Sequence, residues 1–451
     1  MAEHSSGPNR REFIGTAAAI GAAGAVGALA AGCGEGVMEQ YADYKYPPLL
    51  DQAPDGPVLK AGLVGCGGRG TQAAIQFVSA GPNLELTALA DIFEDRLEGC
   101  RRNLRQRRQV EVPDENCFIG LDAYERLIDS GVDVVLLATQ PYFRPEHFAA
   151  CVNARKNVFM EKPVAVDPVG ARSIMSSALK AEGIGLTVVT GTQRRHQRDY
   201  VEVFRRITGG TIGEIVSANC YWNGRVPWVE PRRRGWSDME AMLRDWVNWT
   251  WLSGDHIVEQ HVHNIDVINW FTGMHPVKAL GFGSRIRRQT GDQFDNFSVD
   301  FVYENGIHMH SMCRQISGCS DNVSEFVMGT KGRSNCSNTI FDLDGEEVWK
   351  YPYPLDDEGN PTGRVEVDPY YQEHIDLVTA IRTNNPINEA ENTAISTLTA
   401  IMGRISAYTG KEVTWEEMMN SDLKIGPERV EMGPSDYRAV IPVPGEPMDN
   451  R

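Results

Sequence analysis

The chain alternates between two kinds of hydrophobic pattern. Leu59–Val64 (LKAGLV) is a short apolar run that stops at a glycine cluster, the pattern of a strand buried on both faces. Similar runs return at LELTALAD (Leu84–Asp91), at VDVVLLAT (ending at Thr139) and just before Glu161-Lys162-Pro163. Between them, TQAAIQFV, AYERLIDSG and HFAACVNARK space their apolar residues three and four apart, as amphipathic helices do. Strands alternating with helices predict a parallel, doubly wound sheet with its ligand at the carboxyl ends of the strands. Near the far end, AIRTNNPINEAENTAISTLTAIMGRISAYTG reads as two helices around a proline-containing turn, with apolar positions that mark core.

The first strand runs into Gly65-Cys66-Gly67-Gly68-Arg69-Gly70 and a helix comes next, which sets G-x-G-x-x-G in the strand–turn–helix context it requires. Gly65 suits the tight turn, Gly67 the close approach of backbone to a pyrophosphate, and Gly70 the close packing of helix on strand. The helix start then offers unpaired N–H groups to phosphate. Asp91 ends the second strand 21 residues beyond Gly70, where a carboxylate accepts the ribose hydroxyls and repels a 2′-phosphate. NAD is therefore the expected cofactor. Arg69 and Arg96 soften that repulsion, so NADP stays the alternative.

Two further features bear on class and address. Net charge is -17, which excludes a phosphate backbone as a natural partner, so no nucleic acid is expected. At the N-terminus, NRREFIGTAAAIGAAGAVGALAAGC joins the pair Arg10-Arg11 to a soft Ala/Gly run, which resembles a twin-arginine export signal. The run is too weakly apolar for a membrane span. It ends either in cleavage after Ala28-Leu29-Ala30 or in lipid attachment at Cys33, the only membrane link expected; a buried N-terminal helix is the structural alternative. A periplasmic or other extracytoplasmic address is implied, for a protein that takes up its cofactor before export. Of nine cysteines, the eight besides Cys33 show no CxxC spacing, so they read as small buried residues, with Cys313 and Cys319 as a possible pair across a turn.

Taken together, GLVGCGGRG, ALAD, MEKPVA, VVTGTQRRHQ, GTIGEI, EQHVHNIDVINWFTG and the late helical stretch resemble the glucose–fructose oxidoreductase / inositol dehydrogenase (Gfo/Idh/MocA) family, over roughly residues 58–412. The resemblance implies an α/β protein: an NAD(P)-binding Rossmann domain at 58–195 and, at 196–412, a C-terminal α/β domain with a large, mostly antiparallel sheet whose open face makes homodimers or homotetramers. Residues 1–33 are then the signal, 34–57 an N-terminal arm that wraps a neighbouring subunit in exported relatives, and 413–451 an acidic, proline-rich tail. The implied activity is hydride transfer between nicotinamide and a sugar, sugar derivative or cyclitol. Cofactor contacts are expected at Gly65, Gly67, Gly68, Arg69, Gly70, Asp91, Thr139, Glu161, Lys162 and Gln193. The family's EKP lysine falls on Lys162, and its D-x-x-x-H pair on Glu259 and His263, with Asp266 downstream. Two departures stand out: the acid is Glu rather than Asp, and His261 replaces the usual small residue.

If DHIVEQHVHNIDVINWF is one helix, His256, Glu259, His263 and Asp266 share a stripe. Three readings stand: a metal site, an ordinary helix, and an acid–base relay. HExxH is absent, so no metal is expected. The relay needs only a histidine titrating near neutrality and a neighbour to orient it. His263 then takes the hydroxyl proton, Glu259 or Asp266 orients the ring, and Lys162 stabilises alkoxide charge. His256 and His261 suit structural roles.

Six of nine tryptophans fall between Trp222 and Trp251, among Asn223, Arg225, Arg232, Arg233 and Arg234. Aromatic faces match the C–H faces of sugars, which makes the segment a candidate carbohydrate-facing loop; helix packing and an oligomer surface are the alternative. The candidate substrate set is Lys162, Trp222, Arg225, Glu259 and His263. A redox-neutral NAD-dependent glycosidase with tightly held NAD, and a non-catalytic sugar-binding protein, are the rivals to a dehydrogenase.

Overall fold

The computed structural model describes residue 41 and residues 44–446. The expected export signal and Cys33 lie outside the described residues. Six parallel strands form the first sheet: β1 (Leu59–Val64), β2 (Leu84–Asp91), β3 (Cys117–Ile119), β4 (Val134–Leu137), β5 (Asn157–Met160) and β6 (Val188–Thr190). Their order is β3-β2-β1-β4-β5-β6, so the direction of winding reverses between β1 and β4. That reversal opens a crevice at the carboxyl ends of the strands. Both faces are covered, as the unbroken apolar runs require. Leu63, Phe77 and Phe159 pack on one side, and Val135, Phe148 and Val158 on the other.

The second sheet has nine strands: β7 (Ile215–Gly224), β8 (Pro276–Ser284), β9 (Asn296–Tyr303), β10 (His308–Gln315), β11 (Asn322–Gly329), β12 (Gly332–Ser334), β13 (Thr339–Asp342), β14 (Glu347–Lys350) and β15 (Val413–Thr414). Only β7 and β10 run parallel; every other pair is antiparallel. Burial alternates along β9, with Phe297, Val299, Phe301 and Tyr303 turned toward the helices. Two buried helices, Val262–Thr272 and Ala390–Thr409, cover that face.

Three segments tie the lobes together. Helix Pro369–Arg382 returns from the late sequence to the first sheet, where Ile375, Leu377 and Val378 join the core around Leu63 and Phe159. The described residues of the arm pack on their own chain: Tyr41 donates to the Phe271 carbonyl at 2.7 Å, and the Tyr44 and Tyr46 rings pack against Phe204. The tail is also bound, through Ile425 N–H to Asp167 (3.1 Å) and the Tyr437 hydroxyl to Asp292 (2.5 Å). The described cysteines are free thiols, with Cys313 buried and Cys319 exposed, so the pair across a turn does not form.

A buried fork joins the lobes directly. Arg195, just past β6, donates from Nε and Nη2 to the two oxygens of Asp266, each at 2.9 Å, and Ser396 donates to the same carboxylate at 2.8 Å. Both ion-pair side chains are nearly solvent-free. Removing one partner strands the other charge in a dry site, so Asp266→Ala should lower unfolding free energy by about 3–5 kcal/mol. Guanidinium denaturation measures this, and a loss below about 1 kcal/mol would show that the fork does not hold the lobes.

Candidate active site

The glycine turn is built by contact, not by preference alone. Gly65 sits at φ +99°. A Cβ on Gly70 would lie 1.8 Å from the Gly65 carbonyl oxygen, while Cβ atoms on Gly67 and Gly68 would point into open space. The next helix, Gly68–Ser79, has no side-chain cap and no acid in its first turn, which leaves its N–H groups for an anion. Asp91 pins the turn by accepting from Cys66 N–H (2.6 Å) and Phe93 N–H (2.8 Å). Burial lifts its carboxyl above the ordinary value, against those two donors. Gly67, Gly68, Asp91, Arg96 and Thr139 line a cleft of about 490 Å³, a size suited to a nucleotide. Gln193, beyond the end of β6, keeps a buried side-chain oxygen without a partner. These residues fit NAD: glycine backbone and helix N-terminus for the pyrophosphate, and Asp91 for the ribose.

Arg69 and Glu161 engage one another more than the cleft. Arg69 Nε donates to Glu161 at 2.5 Å, Nη1 to Gln76 at 2.6 Å and Nη2 to Glu373 at 3.4 Å. Its guanidinium also lies 4.9 Å from the Tyr370 ring centre. Burial raises the Glu373 carboxyl well above its usual range.

The histidine segment is not one helix. Helix His256–Glu259 stops, and a second begins at Val262. The His261 N–H bonds the His256 carbonyl five residues back at 3.1 Å, so an extra residue enters the turn and rotates the second helix by about 100°. The expected stripe is therefore broken. Glu259 faces the first lobe, where Lys162 Nζ meets its Oε1 at 3.0 Å and also donates to its carbonyl, released from the helical ladder. Asp266 faces Arg195 instead. Neither carboxylate orients His263, which corrects the expectation that one of them would.

His263 is held by stacking. Its ring lies 5.6 Å from the Trp222 ring at 20°, and the Arg194 guanidinium is 5.9 Å from the same indole. Arg194 pairs with buried Glu325 at 3.0 Å, and Glu325 also accepts from Asn264 (2.6 Å) and Tyr200 (2.9 Å). Burial, reinforced by Lys162, Arg194 and Arg69, holds the His263 imidazole well below its ordinary pKa. His256 bonds Asp255 (2.9 Å) and His261 bonds Ser311 (2.7 Å), both as structural residues. Among the described residues no group of three His, Cys, Asp or Glu is arranged to hold a metal ion.

Lys162, Glu259, His263 and Trp222 thus come together. Arg225 does not join them through any contact: it is exposed beyond β7, with no hydrogen bond or ion pair among the described residues. Most of the tryptophan cluster lies elsewhere. Trp228 and Trp246 line the nucleotide cleft, Trp236 lines an adjoining cavity, and Trp251 is core. Glu325, Arg194 and Tyr370 escaped the sequence reading. Glu325 was detectable, because it occupies an inward position of β11 where its neighbours two and four residues on are Val327 and Gly329.

A model of an oxidoreductase family with an NAD-binding Rossmann fold (GFO_IDH_MocA) matches residues 59–189, and the GFO/IDH/MocA C-terminal domain matches residues 200–334. The chain belongs to the Gfo/Idh/MocA family and is an NAD-dependent oxidoreductase. It is 29% identical to myo-inositol 2-dehydrogenase of Thermotoga maritima over 307 residues, 65% of this chain and 82% of that one. It is 25% identical to 2,7-anhydro-N-acetylneuraminate hydratase of Escherichia coli over 240 residues, 53% of this chain and 56% of that one. Among solved structures, scyllo-inositol dehydrogenase of Lactobacillus casei with bound NAD(H) and scyllo-inositol superimposes with a TM-score of 0.58 at 19% identity, over 79% of this chain and 99% of that one.

The depressed His263 pKa makes stability depend on pH. Its folded value lies below the unfolded one of about 6.5, so on acidification the unfolded chain takes up the proton first and this residue subtracts from stability as pH falls below that point. Ring nitrogen shifts of His263 should stay those of a neutral imidazole as pH falls through the ordinary histidine value of about 6.5, and Lys162→Met should move the titration upward. A ring that titrates near its ordinary value in the wild type would contradict the cationic surroundings described.

Proposed function

We propose that the protein oxidises a secondary hydroxyl of a neutral polyhydroxylated ring, a sugar, glycoside or cyclitol, by hydride transfer to NAD. The observation that carries this reading is the Lys162–Glu259 pair formed across the lobes beside a neutral His263 stacked on Trp222. When bound, NAD supplies the hydride acceptor. Neutral His263 accepts the hydroxyl proton. Lys162 stabilises the developing alkoxide, and Glu259 holds the ammonium in place. The cations around His263 are each matched by a carboxylate: Lys162 by Glu259, Arg69 by Glu161, Arg194 by Glu325. Hydroxyls, which both donate and accept, suit such paired groups. The named inositol dehydrogenases support a cyclitol-like ring.

The likeness to a hydratase favours one second reading, a redox-neutral cycle on a glycoside with NAD regenerated in place. Release of free sugar without net reduced nicotinamide would select it. For the leading reading, NAD with a panel of neutral cyclitols and aldoses should give absorbance at the reduced-nicotinamide band. Lys162→Met should lower kcat/KM about a thousandfold. Retention of more than a tenth of wild-type activity would remove Lys162 from the chemistry.

Address and assembly rest on other residues. Arg10-Arg11 and the Ala/Gly run support export by the twin-arginine route, with Cys33 as an optional lipid site. On the open face of the second sheet, Leu280, Phe282, Met312 and Phe326 are 54%, 71%, 36% and 41% exposed, which supports a homo-oligomer closed over this apolar face. Cell fractionation should recover the protein outside the cytoplasm, and Arg10→Lys with Arg11→Lys should keep it inside. Light scattering should give a dimer or tetramer that Phe282→Asp dissociates. A wild-type monomer would refute the assembly.

A further inference from the structure

Residues 225–237 form no helix or strand, yet they are not free of the nucleotide lobe. Trp228 and Val229, 43% and 46% exposed, line the same cleft as Gly67, Gly68 and Asp91. Trp228 meets Trp246 edge to face at 5.7 Å, and its carbonyl accepts from Asn248 at 3.2 Å. The next helix, Asp238–Arg244, is seated by Met239, Met242 and Leu243 in a cluster with Phe93 of the nucleotide lobe and Ile425 of the tail. Its last residue crosses the gap. Arg244 gives both terminal nitrogens to Asp95 at 3.0 and 2.9 Å and Nε to Glu240 at 2.9 Å. Its guanidinium stands 3.9 Å from the Phe93 ring centre and 4.9 Å from that of Trp236.

We propose that residues 228–244 are a clasp contributed by the second lobe, with Trp228 packing on the bound dinucleotide and Arg244 latching the clasp to Asp95, so that the nucleotide is retained between turnovers instead of exchanging with solution. The inference rests on the nucleotide chemistry proposed above. Trp228 and Val229 are apolar side chains held open over a glycine floor that has no side chains of its own. A flat ligand resting on that floor would cover both, which accounts for large apolar groups left half exposed at the cleft. The latch acts at one point on each lobe, and a forked arginine–carboxylate pair fixes direction as well as distance.

The test is nucleotide exchange on the full chain. Protein loaded with NAD is diluted into fluorescent etheno-NAD, and displacement is timed. Nucleotide released by denaturation gives the starting occupancy. Asp95→Asn, at a carboxylate 63% exposed, and Trp228→Ala should each speed exchange about fivefold or more, with melting temperature in the absence of nucleotide unchanged. Wild-type exchange as fast as in both variants would overturn the clasp. A protein that oxidises a polyol while exchanging NAD freely keeps the functional reading and loses the clasp. One that holds NAD but oxidises no polyol keeps the clasp and loses the functional reading.

Discussion

An ammonium from one lobe and a carboxylate from the other meet at 3.0 Å, and the arrangement of the candidate site is referred to that meeting. Lys162 leaves the carboxyl end of β5, while Glu259 closes a short helix of the second lobe. Both side chains are about nine-tenths buried. Such a pair adds little to stability, because desolvation offsets most of its attraction. Its value is geometric: each charge is costly without the other, so the lobes cannot slide without separating them. The Lys162 ammonium takes a second hold on the Glu259 carbonyl, which is available only because the helix breaks there.

That break also distributes charge. An unbroken helix would place Glu259 and Asp266 on the His263 face, and two carboxylates there would raise the imidazole pKa. The extra residue in the turn sends one acid to Lys162 and the other to Arg195. His263 is left with cations and an indole for neighbours. The result is an imidazole with its lone pair available at neutral pH, in surroundings that favour an alkoxide. In the proposed reaction, a base that is weak in its own right is adequate when the acid it faces has been strengthened by the same charges.

The first lobe was legible because its signals are local. Glycine spacing, an acid at a strand end and unbroken apolar runs each depend on a few adjacent residues, and β1, β2, β4 and β5 lie where those runs predict. The second lobe was legible chiefly through resemblance. Its sheet pairs strands far apart in sequence, such as β7 with β10 and β11, and no local pattern encodes that order. The residues missed at the site share that property. Tyr370 arrives from a helix that joins the first lobe late in the chain, and Arg194 matters only because Glu325 lies opposite it. The histidine stripe failed for a subtler reason: composition fits a continuous helix, and the break becomes visible only once His256 and His261 find partners in Asp255 and Ser311.

The tryptophan segment joins these threads. A cluster of indoles beside arginines is chemically ambiguous, since the same groups suit a pyranose face, a nucleotide or a hydrophobic core. The fold places its members in three settings: Trp222 beside His263, Trp228 and Trp246 on the nucleotide cleft, Trp251 in the core. What separates them is the element each stands on. Trp222 is on an interior strand with its direction set by the pleat, Trp228 is on an irregular segment, and Trp251 is in a short helix packed against Tyr142 and Tyr437. The core tryptophan fastens the tail, and Ile425 in that tail shares a cluster with the helix carrying Arg244. The acidic C-terminal segment, which shows no chemistry in its sequence, is thus part of what keeps the second lobe seated over the nucleotide cleft.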